Sequence, residues 1–347
     1  MPTPLPTLSA VAEWHDVDRR TFTEQIMPLY RPAVLRGVVG RWPAVAQARL
    51  SPEALCRYLI GYDRGAETDA IMTPPSERGR IFYQADMDGF NYLRNRISIT
   101  AAIGQLVRYS RHDAAPALAI QSALLDDCLP GYADANPLPL LDAAVRPRIW
   151  LGNRVVTPAH FDQSNNLACV VGGRRRFTLF PPEQVGNLYI GPLDYAPTPT
   201  PISMVTFDAA GQPDLDRFPR YRDALAVAQV AELGPGDALY IPSFWWHQVE
   251  SLDLLNVLVN YWWNAAPARE PAPESPFACL LHCVQHMQDL PPEHKAAWQA
   301  LFGHYVFNPA HPAEHIPPHK RGVLTRADGP GTAPAAPPKP PPTPSSR

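Results

Sequence analysis

Two side chains separated by one residue carry the first chemical signal in this chain. In the segment Thr157-Pro-Ala-His-Phe-Asp162, His160 and Asp162 flank Phe161. Successive side chains of a strand alternate faces, so His160 and Asp162 point together and Phe161 points away. An imidazole and a carboxylate on one face make half of a metal site. The set of two histidines and one carboxylate that holds non-haem Fe(II) needs one more histidine and leaves positions open for a cosubstrate and oxygen. An H-x-D pair alone is a weak signal, and a surface aspartate beside a structural histidine is its plain alternative. Position strengthens it. Of the 11 histidines, only His160 and His247 fall between residues 148 and 263, where the chain reads as β-rich. His247 closes the run Ile241-Pro-Ser-Phe-Trp-Trp-His247 and is the expected third ligand, brought in by a distant strand.

A second signal is Arg174-Arg-Arg-Phe-Thr-Leu-Phe180. Counting by two puts Arg175 on the face of Phe177 and Leu179, and Arg174 and Arg176 on the other with Thr178. An arginine among apolar neighbours is costly unless an anion meets it. A planar guanidinium meets a carboxylate through two parallel hydrogen bonds, which suits the distal carboxylate of 2-oxoglutarate. The plain alternative is three arginines on an exposed edge.

Positioning these groups requires a β scaffold. From about 148 to 263 short β-rich runs alternate with turn residues, as in an all-β sandwich or barrel. The runs are RIWLGNRVV, NLACVV, RRFTLF, ISMVTF, AQVAEL, DALYI, HQVESL and LNVLVNYWW, divided by Gly172-Gly173, Pro181-Pro182 and Gly234-Pro235-Gly236-Asp237. Eight runs suffice for a two-sheet jelly roll. The first 115 residues mix helix-like and extended segments, including PAVLRGVVGRWPA at 32–44, with no linker before the barrel. Residues 275–307 read as two helices broken at Leu290-Pro291-Pro292, a cap on the core or a dimer face. The expected organisation is a single domain over 1–325, with its β core at about 116–265. A proline-rich, disordered tail over 326–347 follows it.

Composition bounds the function. The chain has 347 residues, 46% of them hydrophobic and 18% charged, a globular balance. A formal charge of -3 offers no general field for a nucleic-acid backbone. Five cysteines fit a reducing compartment better than a disulfide framework, no run is long and apolar enough to span a bilayer, and the N-terminus lacks a secretion signal. The expected location is the cytoplasm. Only Lys295, Lys320 and Lys339 are lysines, which excludes a lysine nucleophile or Schiff base from residues 1–294.

Four motifs, TPAHFDQSNN at 157–166, GGRRRFTLFPPEQ at 172–184, LGPGDALYIPSFWWHQVES at 233–251 and VNYWW at 259–263, carry a resemblance. From about residue 30 to 305 the sequence resembles the cupin-like JmjC dioxygenases that use Fe(II) and 2-oxoglutarate. It is most similar to the branch of the asparaginyl hydroxylase that inhibits hypoxia-inducible factor. The resemblance implies a double-stranded β-helix with an N-terminal α/β extension and C-terminal helices. It implies His160, Asp162 and His247 as iron ligands, and Thr157 as a hydroxyl contact to the distal carboxylate of 2-oxoglutarate. Asn166 and Asn260 match amides near the keto-acid end. Arg175 stands where that branch has a lysine, and Ala119-Ile-Gln121 stands where it has Tyr-x-Gln. The implied activity couples decarboxylation of 2-oxoglutarate by O2 to hydroxylation of a protein or peptide side chain. Gln121, Trp246 and Trp262 are expected on the substrate side. RNA-base hydroxylation, N-methyl-lysine demethylation, and a binding protein that keeps the metal without turnover are the alternatives. Cys279, His282, Cys283 and His286 look like ligands in a row. Their spacing along one helix stretches them over about 10 Å, too far to share an ion.

Overall fold

The computed structural model describes residues 5–264, 275–308, 312, 314–321 and 324. The tail expected at 326–347 lies outside them. The chain divides into two compact units, Met1–Arg269 and Glu270–Arg347, where the sequence suggests one domain to 325. No described helix is long and apolar enough to cross a membrane.

The first unit carries fourteen strands among the described residues: β1 (Ser9–Ala10), β2 (Ala12–Trp14), β3 (Ala33–Leu35), β4 (Thr68–Thr73), β5 (Leu93–Ile97), β6 (Ala117–Leu124), β7 (Pro147–Gly152), β8 (Val156–His160), β9 (Asn165–Gly172), β10 (Arg175–Phe180), β11 (Gln229–Leu233), β12 (Ala238–Ile241), β13 (Trp246–Ser251) and β14 (Asn256–Trp263). They form a five-stranded sheet in the order β1-β11-β10-β13-β8 and a nine-stranded sheet in the order β2-β3-β12-β9-β14-β7-β6-β4-β5. The fold is mainly β with flanking helices, a cupin-type jelly roll. The N-terminal region is more than an appendage, because β2 to β5 extend the large sheet at both edges.

Apolar spacing explains the layers. Every residue of β9 is buried. Its Ala168 and Val170 face Phe177 and Leu179 of β10 and Ala231 and Leu233 of β11 across the sandwich. Leu167, Cys169 and Val171 face the other way, into a core shared with Ala44, Val45, Leu55, Leu59, Ile99 and Ile103. Those residues belong to helices Pro43–Leu50, Pro52–Tyr62 and Ile99–Tyr109. A strand buried on both faces therefore reads as a continuous apolar run rather than an alternating one. The β9–β10 turn depends on Gly173 at a φ of 71°. A Cβ there would run into the carbonyl oxygen of Leu255 and the side chain of Asn256.

The run ISMVTF forms no strand. Only isolated bridges join Ile190 to Ser203 and Phe207 to Pro213. Its buried apolar residues, Ile202 and Val205, are three apart instead of two, and Ser203 beside Ile202 is buried as well, so the run lacks a strand's alternation. The count of eight core strands survives because RIWLGNRVV splits at Asn153–Val155 into β7 and the start of β8. In the second unit, helices Pro276–Met287 and Pro292–Tyr305 match the expected pair and bury no residue. Leu280, Val284, Trp298, Leu301 and Tyr305 are exposed on them.

Candidate metal centre and cosubstrate cavity

Strand pairing builds the centre. β8 runs antiparallel to β13 with His160 directly opposite His247, so both rings project from one face, their centroids 4.3 Å apart. Asp162 lies two residues past the end of β8, where the backbone is fastened on both sides. The Phe161 carbonyl accepts from the Thr200 hydroxyl at 2.5 Å. The Asp162 carbonyl accepts from the Phe244 N–H at 2.8 Å, in a turn that holds Phe244 at a φ of 66°. Phe161 itself turns inward onto Trp246, with centroids 4.9 Å apart. The ligating atoms of His160, Asp162 and His247 consequently all lie within 4.8 Å of one another, the one such grouping among the described residues.

Neighbouring groups aim these side chains. His160 Nδ1 is 2.9 Å from the Pro158 carbonyl and His247 Nδ1 is 3.0 Å from the Trp245 carbonyl. A carbonyl only accepts, so each proton sits on Nδ1 and each Nε2 lone pair is available for a metal. Burial, and then the adjacent His247 ring, push the His160 pKa down to about 4. The ring is neutral, the ligating form, at physiological pH. On the carboxylate, Asp162 Oδ2 accepts from Trp262 Nε1 at 2.9 Å and from Asn166 Nδ2 at 3.1 Å. Asn166 Oδ1 in turn accepts from Asn260 Nδ2 at 3.2 Å, and Asn260 Oδ1 accepts from Trp150 Nε1 at 2.9 Å. A hydrogen-bonded chain thus crosses β7, β14 and β9 and ends on the metal-facing carboxylate. Asn166 and Asn260, expected at the keto-acid end of a cosubstrate, are both buried in this chain.

Arg175 opens β10 opposite Ser251 of β13. It is 8% exposed, forms no ion pair among the described residues, and leaves its Nε without a hydrogen-bond partner. Burial pushes its pKa down to about 10. It shares a narrow cavity with Thr157, Ala119, Gln121 and Trp150. Thr157 and His160 are three residues apart, which in a regular strand would send them to opposite faces. An irregularity restores them to one side. Four residues of β8, from His160 to Thr157, stand against three of β13, from His247 to Val249, and such a bulge re-aims the side chains beyond it.

Of the side chains expected in the site, the structure thus gathers His160, Asp162, His247, Asn166, Asn260 and Trp262 in one cluster, and Thr157, Arg175 and Gln121 around one cavity. It does not bring Trp246 there. That ring is 4% exposed, donates to the Pro182 carbonyl at 3.4 Å, and lies on the opposite face of β13 from His247. Alternation along the strand decides this. Trp150 was not anticipated. Its role depends on a contact with Asn260, 110 residues away, for which no local signal exists.

Residues 19–269 match the model of a family of cupin-like domains. The chain belongs to that family. This cupin-like domain is JmjC-type in its relatives. HSPB1-associated protein 1 of Bos taurus is 33% identical over 152 residues, covering 43% of this chain and 30% of that protein. Lysine-specific demethylase JMJ31 of Arabidopsis thaliana is 34% identical over 137 residues, covering 39% and 23%. Lysine-specific demethylase 8 of Xenopus tropicalis is 25% identical over 263 residues, covering 74% and 53%. The cupin-like chain spans less than a third of the first two proteins and about half of the third.

Proposed function

We propose that this chain is an Fe(II)- and 2-oxoglutarate-dependent oxygenase that hydroxylates a protein side chain, in the manner of the asparaginyl hydroxylase branch. The observation that carries the reading is Arg175, a buried guanidinium with an unpartnered Nε in a cavity that also holds Thr157, on the strand that ends at His160. Burying an unpaired charge costs several kcal/mol, comparable with exposing about two buried leucines. A carboxylate in the cavity offsets that cost. Two imidazoles and a carboxylate are the donor set that suits Fe(II), so the residues present fit both groups.

When bound, Fe(II) and 2-oxoglutarate would supply oxygen activation coupled to decarboxylation. The chain supplies the rest. His160, Asp162 and His247 would hold the metal, while Trp262 and the chain from Trp150 through Asn260 and Asn166 fix the Asp162 carboxylate. Arg175 and the Thr157 hydroxyl would receive the distal carboxylate of the cosubstrate. Ala119, which lines the same cavity, stands where the resembled branch has a tyrosine, and the longer Arg175 stands where it has a lysine. Gln121, which lines the cavity, and Trp262, which holds Asp162, would orient the substrate.

The test is anaerobic reconstitution with Fe(II), followed by conversion of 2-oxoglutarate to succinate in the presence of O2. Turnover that disappears in His160→Ala and Asp162→Ala supports the oxygenase. Metal binding with no decarboxylation, across peptide and tRNA substrates, would favour the non-catalytic binding protein. The names of two relatives support a second reading, demethylation of N-methyl-lysine. Release of formaldehyde from a methyl-lysine peptide, in place of a stable mass gain of one oxygen, would select it.

A further inference from the structure

The five-stranded sheet has a second cavity, on the face turned away from the metal. Alternation along β10 and β13 sends Arg175, Val249 and Ser251 toward the cosubstrate side, and Arg176, Thr178, Gln248 and Glu250 to a cavity of about 990 Å³. That volume is ample for a small organic ligand. Phe82 and Phe207 border it on the side opposite the sheet.

Its acidic groups each accept hydrogen bonds from neighbours of their own. Glu250 accepts from Gln248 at 2.8 Å and lies 3.9 Å from Arg176. Glu77 accepts from Asn91 at 2.7 Å. Asp208 accepts from the N–H groups of Ala210 and Gln212 in its own turn, at 2.8 and 2.9 Å. The arginines are not matched in the same way. Arg80 is half-buried, donates to the Val205 carbonyl at 2.5 Å, and stands 4.2 Å from the centroid of Phe82 and 5.4 Å from that of Phe207. It forms no ion pair among the described residues, and burial pushes its pKa down to about 10. Arg78, exposed at the rim of the same cavity, likewise has no ion pair among the described residues. Arg80 and Arg78 thus line one large space beside aromatic rings with no acid within ion-pair distance among the described residues, and Glu77, which acts on Arg80 from farther away, is held by Asn91. A desolvated guanidinium in that position gains most from an anion.

We propose that this outer cavity binds a small organic anion, its carboxylate or phosphate head on Arg80 and Arg78 and its apolar body against Phe82, Phe207 and Val156. This site is independent of the metal centre and of the oxygenase reading. The competing account makes Arg80 a clamp alone, tying its segment to Val205.

Calorimetric titration of the metal-free, full-length chain with benzoate and with phenyl phosphate separates the two. The expected result is one-to-one binding of at least one anion, undiminished in Arg175→Gln. Affinity should weaken at least about tenfold in Arg80→Gln and in Arg78→Gln, the loss that follows removal of a charged hydrogen bond. The tighter probe identifies the head group. Should Arg80→Gln fail to fold, exposed Arg78→Gln decides the matter. No heat with either anion, or binding lost in Arg175→Gln and kept in Arg78→Gln, overturns the proposal.

Discussion

The inner and outer faces of the five-stranded sheet hold the same kind of charge under different rules. Arg176, on the outer face, lies 3.4 Å from Glu232 and 3.9 Å from Glu250, with its side chain 45% exposed. Arg174, just before the strand, pairs with Asp253 at 3.1 Å. Arg175, between them, points inward and meets no acid among the described residues. Solvated pairs of this kind contribute about 0 to 1 kcal/mol because water screens both partners. A buried, unpaired guanidinium is costly by several times that amount until a ligand arrives. An arginine facing solvent with its carboxylates is therefore a surface feature, whereas its neighbour facing a cavity alone is the one proposed to receive a carboxylate.

That contrast can be broken in several ways. The largest effect is expected from Asp162→Ala, which removes a metal ligand: Fe(II) affinity and succinate formation should fall by more than about 100-fold, read by metal titration and turnover. Next is Arg175→Gln, which should raise the KM for 2-oxoglutarate by about 100-fold, the worth of a bidentate charged contact, and leave Fe(II) binding intact. A smaller loss, about tenfold in metal affinity, is expected for Trp150→Phe, since it cuts the hydrogen-bonded chain at its far end and touches neither metal nor cosubstrate. The smallest belongs to Arg176→Gln. Thermal or urea unfolding should show a change within about 1 kcal/mol and turnover should be unaltered. A KM effect in Arg176→Gln as large as that in Arg175→Gln would erase the distinction between the faces.

Much of this was legible before any coordinates. The pairing of His160 with Asp162, the inward direction of Arg175 and the strand content follow from periods of two, because sandwich cores impose those periods on any sequence that fills them, and His247 joins the candidate trio as the other histidine of the β-rich region. Other features were not legible. ISMVTF has strand-like composition, yet the N–H of Ser203 goes to the Ala159 carbonyl and that of Met204 to the Tyr189 carbonyl, so no ladder forms. Trp246 and Trp262 look alike as aromatic residues near the third ligand. The strand face separates them, with one ring in the core and the other hydrogen-bonded to Asp162.

The sequence by itself determined which groups are the candidates for holding a metal and a carboxylate, and that a two-layer β scaffold carries them. Tertiary structure alone decided how they meet. The β8–β13 irregularity brings Thr157 and His160 to one side despite their odd spacing. Trp150 joins Asp162 through two asparagines from other strands, and Arg80 comes to rest between two phenylalanine rings at the edge of a large cavity. These outcomes depend on register and on contacts between residues distant in the chain. Local propensity and spacing cannot encode such contacts, because each is fixed only when the strands close against one another.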